Sequence, residues 1–220
     1  MFASHPHGVF PMAQWLSVPA SCDPQADATD AAVLAALPTP LRGAVATCLL
    51  HLPLLRHLLG WAGMVPAHGQ VVRGLLAHGI SVVIIPGGIA EIFVSRPEEE
   101  VLVLKERKGF VRAALEANAP IVPIYCFGNT ACFRVRPPPK DLAALSRRAR
   151  VGLQLFWGRW FMPVPFRTKL LVAVGPPVAP RPGESVEQLH ARYCEALNAL
   201  FERHKAKMGP DWERKTLQIT

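Results

Sequence analysis

Ser81–Glu91 reads SVVIIPGGIAE, and this stretch decides the fold. Ser81–Ile85 is a short β-branched run, the signature of a buried strand, and Pro86-Gly87-Gly88 closes it as a loop. Outward from it the same grammar repeats. Ile121–Phe127 (IVPIYCF) is a second buried strand, closed by Gly128, and Lys169–Val174 (KLLVAV) is a third, closed by Gly175-Pro176-Pro177. Between the first two, Lys108–Asn118 reads as a helix, with Phe110, Val111, Ala114 and Leu115 near one face. Farther on, Val186, Leu189, Tyr193, Leu197, Leu200 and His204 recur at spacings of three and four. Glu187, Arg192, Glu195, Arg203 and Lys205 lie opposite, so an amphipathic helix packed on the sheet is expected, stopped by Gly209-Pro210. Alternating strand and helix signals, with no internal repeat, predict an α/β fold: one domain over residues 1–220, a mixed sheet and helices on both faces. Ser21–Asp30 is polar and helix-poor, and Arg134–Lys140 (RVRPPPK) reads as a proline-rich surface connection.

Half of the 220 residues are hydrophobic, 18% are charged, and the mean hydropathy is +0.22. An average soluble chain carries roughly 25% charged residues, so either a large core or a surface partly covered by lipid is implied. The most apolar stretch, Leu41–Ala67, is interrupted by Arg42, His51, Pro53, Arg56, His57 and Pro66. A spanning helix needs ~20 mostly apolar residues, so an interfacial hairpin is expected there, with a buried core helix as the alternative. The net charge of +8 is unevenly placed: residues 1–100 hold four Lys+Arg and seven Asp+Glu, residues 101–220 twenty and nine. A basic half suits an anionic membrane surface or a phosphorylated ligand. Nucleic acid is set aside, because zinc-finger spacing, a basic zipper region and RNP-like aromatics are all missing. Five cysteines without a CxxC pair argue against a disulfide framework and for small core residues.

Four motifs carry chemistry. In His5-Pro6-His7-Gly8 the proline keeps both histidines out of a helix interior, and Gly8 permits a sharp turn or a close backbone approach. A histidine there can act as general base near neutral pH. No Cys/His/Asp partners suggest a metal. In Gly87-Gly88-Ile89-Ala90-Glu91 the glycines bend the backbone and expose amides, and Glu91 can aim back at a histidine. Arg107-Lys108-Gly109 opens a helix, where cations beside free N–H groups can hold a phosphate or an oxyanion. Leu155–Phe161 (LFWGRWF) is aromatic and basic; it fits a membrane–water boundary or a packed aromatic cluster.

Taken in order, HPHG at 5–8, VVIIPGGIAE at 82–91, ERKGFVRAALEANAPIVPIYCFG at 106–128, FWGRW at 156–160, VGPPV at 174–178 and LHARYCEALNALFERHKAKMG at 189–209 resemble the diacylglycerol acyltransferase type-2 family. That family includes monoacylglycerol and wax-alcohol acyltransferases. The resemblance implies a glycerophosphate-acyltransferase-like fold and acyl transfer from acyl-CoA, as co-substrate and without a cofactor, to a lipid alcohol such as diacylglycerol. It also implies a membrane lipid surface as partner, on the cytosolic face of the endoplasmic reticulum. His7 is then the expected base, with His5 positioning it. Glycerophosphate-type relatives carry an aspartate a few residues after the histidine. Gly8–Ala13 hold no carboxylate, so Glu91 is the expected orienting group. Backbone amides near Gly8, Gly87 and Gly88, and Arg107, Lys108 and Gly109, are the expected oxyanion or substrate contacts. The loops at His7, Gly87 and Lys108 should meet at one edge of the sheet, with an apolar tunnel for the acyl chain. Family members carry membrane-embedded segments before HPHG. Only four residues precede His5 here, so a truncated amino terminus and little remaining strand are expected. Many relatives are acidic just after the Phe127-Gly128 equivalent, where this chain has Asn129-Thr130. Two other classes stand against transfer: a catalytically silent lipid-binding protein of the same fold, and a serine esterase, for which no GxSxG motif occurs.

Overall fold

The computed structural model describes residues 1–14, 41–88, 90–91, 99–136 and 155–220. The expected polar loop at Ser21–Asp30, Cys22 and the proline run at 137–140 lie outside them. A six-stranded sheet organises the described residues. Its strands are β1 (Phe2–His5), β2 (Leu41–Val45), β3 (Met64–Pro66), β4 (Ser81–Ile84), β6 (Val122–Phe127) and β9 (Leu171–Val174), in the spatial order β3-β2-β4-β1-β6-β9, while β7 (Arg134–Arg136) and β8 (Leu155–Trp157) pair apart from it. All neighbours within the sheet are parallel except β6 and β9, which run antiparallel. The mixed α/β sheet follows the sequence reading, and β4, β6 and β9 fall where the short apolar runs predict them.

Four residues of β1 are enough to form the central strand. All four are buried, and they pair with β4 on one side and β6 on the other. Short as it is, this strand ends on His5, the first histidine of the motif. Pairing along both edges satisfies the backbone polar groups that a short strand would otherwise leave bare.

Alternation along the strands sorts side chains into two layers. Ala3, Val82, Tyr125, Phe127 and Ala173 face a core shared with α2 (Gly69–Ala77), α3 (Gly109–Glu116) and α4 (Val186–His204). Phe2, Ile124, Cys126, Val83, Val172 and Val174 face the other way, where Ala13 packs on them. Helix α4 follows its predicted stripe, with Leu189, Tyr193, Leu197 and Leu200 buried. Ser185 caps it in a reciprocal box with Gln188, an arrangement whose cap alone is typically worth ~1 kcal/mol.

Leu41–Ala67 forms a strand–helix–strand unit instead of a hairpin: β2, a 3-10 turn at Thr47–His51, α1 (Leu55–Trp61) and β3. Helix α1 is not a core helix, since Leu54 is 75% and Trp61 82% exposed. Among the described residues, no helix is long and apolar enough to cross a membrane. Cys126 and Cys132 are buried, and Cys48 and Cys194 partly so.

A buried polar triad ties the end of the chain to the sheet. Strands β5 (Glu100–Leu102) and β10 (Leu217–Ile219) pair in parallel. Tyr125 donates to Glu100 Oε2 at 2.6 Å and Lys215 Nζ donates to Oε1 at 3.0 Å. Burial pushes the Glu100 carboxyl above its ordinary 4.5, against the opposing pull of Tyr125 and Lys215. The folded protein therefore holds this proton more tightly than the unfolded chain. The resulting stability is present below about pH 4.5 and is lost as pH rises through the raised folded value. Glu100→Gln removes that titration. Its urea midpoint is expected to gain on the wild type as pH is raised from 4 to 7, and parallel curves would refute the assignment.

Candidate active site

Parallel strands β4, β1 and β6 end on the same edge of the sheet, the edge where open α/β folds bind their ligands. His5 ends β1, Pro86-Gly87-Gly88 follows β4, and Gly128-Asn129 follows β6. Three chemistry-bearing segments, far apart in sequence, are thereby brought to one place.

At their meeting point is the Glu91 carboxylate, fully buried. Oε2 accepts the His7 backbone N–H at 2.8 Å, and Oε1 lies 3.7 Å from His5 Nδ1. Gly87 makes room for it: a Cβ at that position would sit 1.9 Å from Glu91 Cδ. Gly88 turns the chain with a left-handed φ of +53°, its N–H bonded to the Ile85 carbonyl at 3.2 Å. His5 is itself fully buried, and its Nε2 lies 3.0 Å from the Tyr193 hydroxyl. His7 is only partly buried. Its Nδ1 lies 2.9 Å from the Gly8 carbonyl. A carbonyl only accepts, so Nδ1 carries the proton and the neutral ring keeps its lone pair on Nε2.

Asn129 clamps the loop from the far side. Nδ2 donates to the carbonyls of Pro6 and His7 at 3.3 and 3.1 Å, and Oδ1 accepts the Ala13 N–H at 3.1 Å. Gly8, at φ +60°, passes so close that a Cβ would lie 2.7 Å from Asn129 Nδ2. A carboxylate here could take the Ala13 bond but could not donate to the two carbonyls, which is the physical reason an amide serves. Asn129→Asp is accordingly expected to cost about 1–3 kcal/mol per unmet buried partner. A chain of this length loses ~2–4 °C of midpoint per kcal/mol, so a melting curve within 1 °C of wild type would contradict the clamp.

A family model for diacylglycerol acyltransferase matches residues 1–218. The chain belongs to the diacylglycerol acyltransferase family. Human diacylglycerol O-acyltransferase 2-like protein 6 is 30% identical across 99% of this chain and 69% of its own length. Human 2-acylglycerol O-acyltransferase 3 is 35% identical across 76% of this chain and 54% of its own, and human acyl-CoA wax alcohol acyltransferase 2 is 31% identical across 72% and 53%. The chain thus spans from about half to about two thirds of these relatives. Among solved structures, the 1-acyl-sn-glycerophosphate acyltransferase of Thermotoga maritima is similar, with a TM-score of 0.49 and 17% identity over 75% of this chain and 56% of that one.

Of the residues that resemblance to the acyltransferase family singles out, His5, His7, Gly8, Gly87 and Glu91 are brought together. Gly88 shapes the turn beside them. Arg107 and Lys108 open α3 as expected, but Lys108 Nζ faces Glu187 of α4 at 3.7 Å, and Arg107 and Gly109 are exposed. Helix α3 reaches the site one residue later, where Phe110 packs edge-on against Tyr193 at 5.2 Å. In the aromatic run, Phe156 joins Phe10 and Phe133 in a cluster beside the histidine loop. Trp160 and Phe161 turn outward instead, 69% and 88% exposed, with Arg159 over the Trp160 ring at 4.2 Å. The packed and boundary readings of this run thus each describe part of it. A surface depression beside the start of α4, lined by Arg181, Pro182, Glu184, Gln188 and Arg192, contains none of these site residues. Asn129 and Tyr193 escape the sequence reading. Asn129 looks there like a missing acid, and Tyr193 like one more member of a core stripe.

Proposed function

We propose that this chain is the catalytic domain of an acyl-CoA-dependent O-acyltransferase that esterifies diacylglycerol to triacylglycerol. One observation carries the reading: Glu91 holds the HPHG backbone, and the Nδ1 proton bonded to Gly8 leaves the lone pair of the partly exposed His7 ring on Nε2. The acceptor hydroxyl gives its proton to His7 Nε2 as its oxygen attacks the thioester carbonyl. The tetrahedral intermediate then collapses, the C–S bond breaks, and the CoA sulfur takes the proton back from His7. The products are an ester and free CoA. Because the Gly88 amide is already bonded to Ile85, the Gly87 amide is the donor assigned to the oxyanion. Loss of one such donor typically costs ~10²–10³ in rate. Relatives named for 2-acylglycerol and wax alcohol support a second acceptor reading, because a greasy pocket separates apolar shapes only modestly.

Membrane contact is part of the same proposal. Leu54, Leu58, Trp61, Trp160 and Phe161 are exposed, and residues 31–90 contain no Asp or Glu. Such a surface suits a lipid interface, assigned here to the cytosolic face of the endoplasmic reticulum. The test is expression in cells lacking neutral-lipid synthesis, with membranes supplied labelled oleoyl-CoA and diacylglycerol, monoacylglycerol or a long-chain alcohol in turn. Label in triacylglycerol is the expected result. Label in diacylglycerol or wax ester alone would move the acceptor, and none in any ester would favour a silent lipid-binding protein.

A further inference from the structure

Asn129 brackets the histidine loop: its side-chain amide holds the His7 carbonyl at one end and the Ala13 N–H at the other, each at 3.1 Å. Phe10 stands at the apex between them, its carbonyl accepting the Met12 N–H at 2.8 Å. The ring is wedged edge-on between Phe133 and Phe156, at centroid distances of 5.6 and 5.1 Å, and those two rings meet edge-on at 5.5 Å. Phe133 is buried, and Phe156 lies on β8 opposite Val135 of β7. Phe10 itself remains 42% exposed. A single exposed phenylalanine on a protein surface is ordinary. This one is fixed by two rings and by a loop clamped at both ends, three residues from His7, and part of it still faces outward. A side chain already held in place loses little freedom when a ligand covers it.

We propose that Phe10, backed by Phe133 and Phe156, is a specificity-determining residue against which the fatty chain of acyl-CoA lies. The proposal deepens the acyltransferase reading and rests on it for the identity of the chain. The acyl carbon attacked beside His7 is itself the first carbon of a long apolar chain, which must leave the site over apolar groups. Inward the site is polar and closed, since Ser4, His5 and Glu91 are fully buried. Phe10 offers an apolar surface on the same loop as the base. The fatty chains of diacylglycerol begin farther off, beyond ester groups on the other two glycerol carbons. The chain that starts at the reacting carbon is therefore the one assigned to this ring. Contact between methylenes and an aromatic ring is the same before and during the reaction, so it acts on binding and not on the chemical step.

Chain length reads this directly. Covering roughly 50–60 Å² of apolar surface is worth about 10-fold in affinity. Phe10→Ala is therefore expected to raise KM for oleoyl-CoA about 10-fold with kcat little changed, and to leave KM for butyryl-CoA within about twofold of wild type. Phe10→Leu, which restores an apolar side chain, should recover most of the loss. A merely structural ring would instead lower kcat for both chain lengths alike. That outcome would overturn the proposal, as would an unchanged KM for oleoyl-CoA. A second readout needs no turnover: palmitoyl-CoA carrying a diazirine on its chain is irradiated with the whole protein on membranes, and the adducts are mapped by mass spectrometry. Adducts on Phe10 or Phe156, displaced by excess oleoyl-CoA, are expected. Adducts confined to other residues would defeat the proposal, as would adducts on Phe10 that form only from a diacylglycerol carrying the same diazirine. A wild type with no transfer at all would defeat the functional reading alone, since the adduct map still decides whether the fatty chain meets Phe10.

Discussion

His7→Ala is expected to lower acyl transfer from oleoyl-CoA by about 10²–10⁴, the range that general-base help supplies. The prediction follows from where the ring's hydrogen bonds go. Nδ1 is tied to the Gly8 carbonyl, so the free lone pair is on Nε2, and the side chain is only partly buried. Truncation therefore removes a base and little packing. The loop itself is held by backbone contacts, from Glu91 to the His7 N–H and from Asn129 to the Pro6 and His7 carbonyls, and alanine keeps all of them. The melting midpoint should stay near that of wild type while kcat collapses. Retained turnover would remove His7 from the chemistry, and a large fall in midpoint would mean that the ring is structural.

Gly87→Ala is expected to damage both stability and activity. The new methyl would occupy the place of the Glu91 carboxyl, 1.9 Å from Cδ and 2.0 Å from Oε1. The carboxylate must leave, and overpacking of this kind typically costs ~1–3 kcal/mol. Its departure also strands the His7 N–H, which adds roughly 1–3 kcal/mol if that donor stays buried. Gly88→Ala is the comparison. Nothing lies within 4 Å of a Cβ there, and only the φ of +53° opposes it, a cost of about 1–2 kcal/mol for an ordinary residue in left-handed backbone. Urea midpoints should rank Gly88→Ala above Gly87→Ala, and only Gly87→Ala should lose transfer as His7→Ala does. Equal effects at the two glycines would mean that Glu91 is not held by the turn.

Strands β4, β6 and β9 were legible because each is a short apolar run bounded by Gly or Pro, and α4 because its stripe is unbroken through Leu200. Glu91 was legible as a carboxylate three residues past a glycine turn. Strands β2 and β3 were hidden, because the leucine-rich stretch around them shows no period-2 alternation to separate strand from helix. The placement of β1 between β4 and β6 is a pairing across about 80 to 120 residues of sequence, which no local pattern encodes. Asn129 and Tyr193 were missed for the same reason: each acts on the histidine loop from a distant segment, at |i−j| of 122 and 188. Lys108 shows the converse. Its place at a helix start suggests an anion site, yet the fold supplies Glu187 as its partner.

The most direct measurement is an experimental structure of the chain with a non-hydrolysable acyl-CoA bound. The thioester carbonyl carbon is expected beside His7, with room for an acceptor oxygen at ~3–3.5 Å between that carbon and Nε2, and with Glu91 still on the His7 amide. A thioester bound elsewhere, more than two hydrogen-bond lengths (~6 Å) from the ring, would contradict the assignment of His7 as the base.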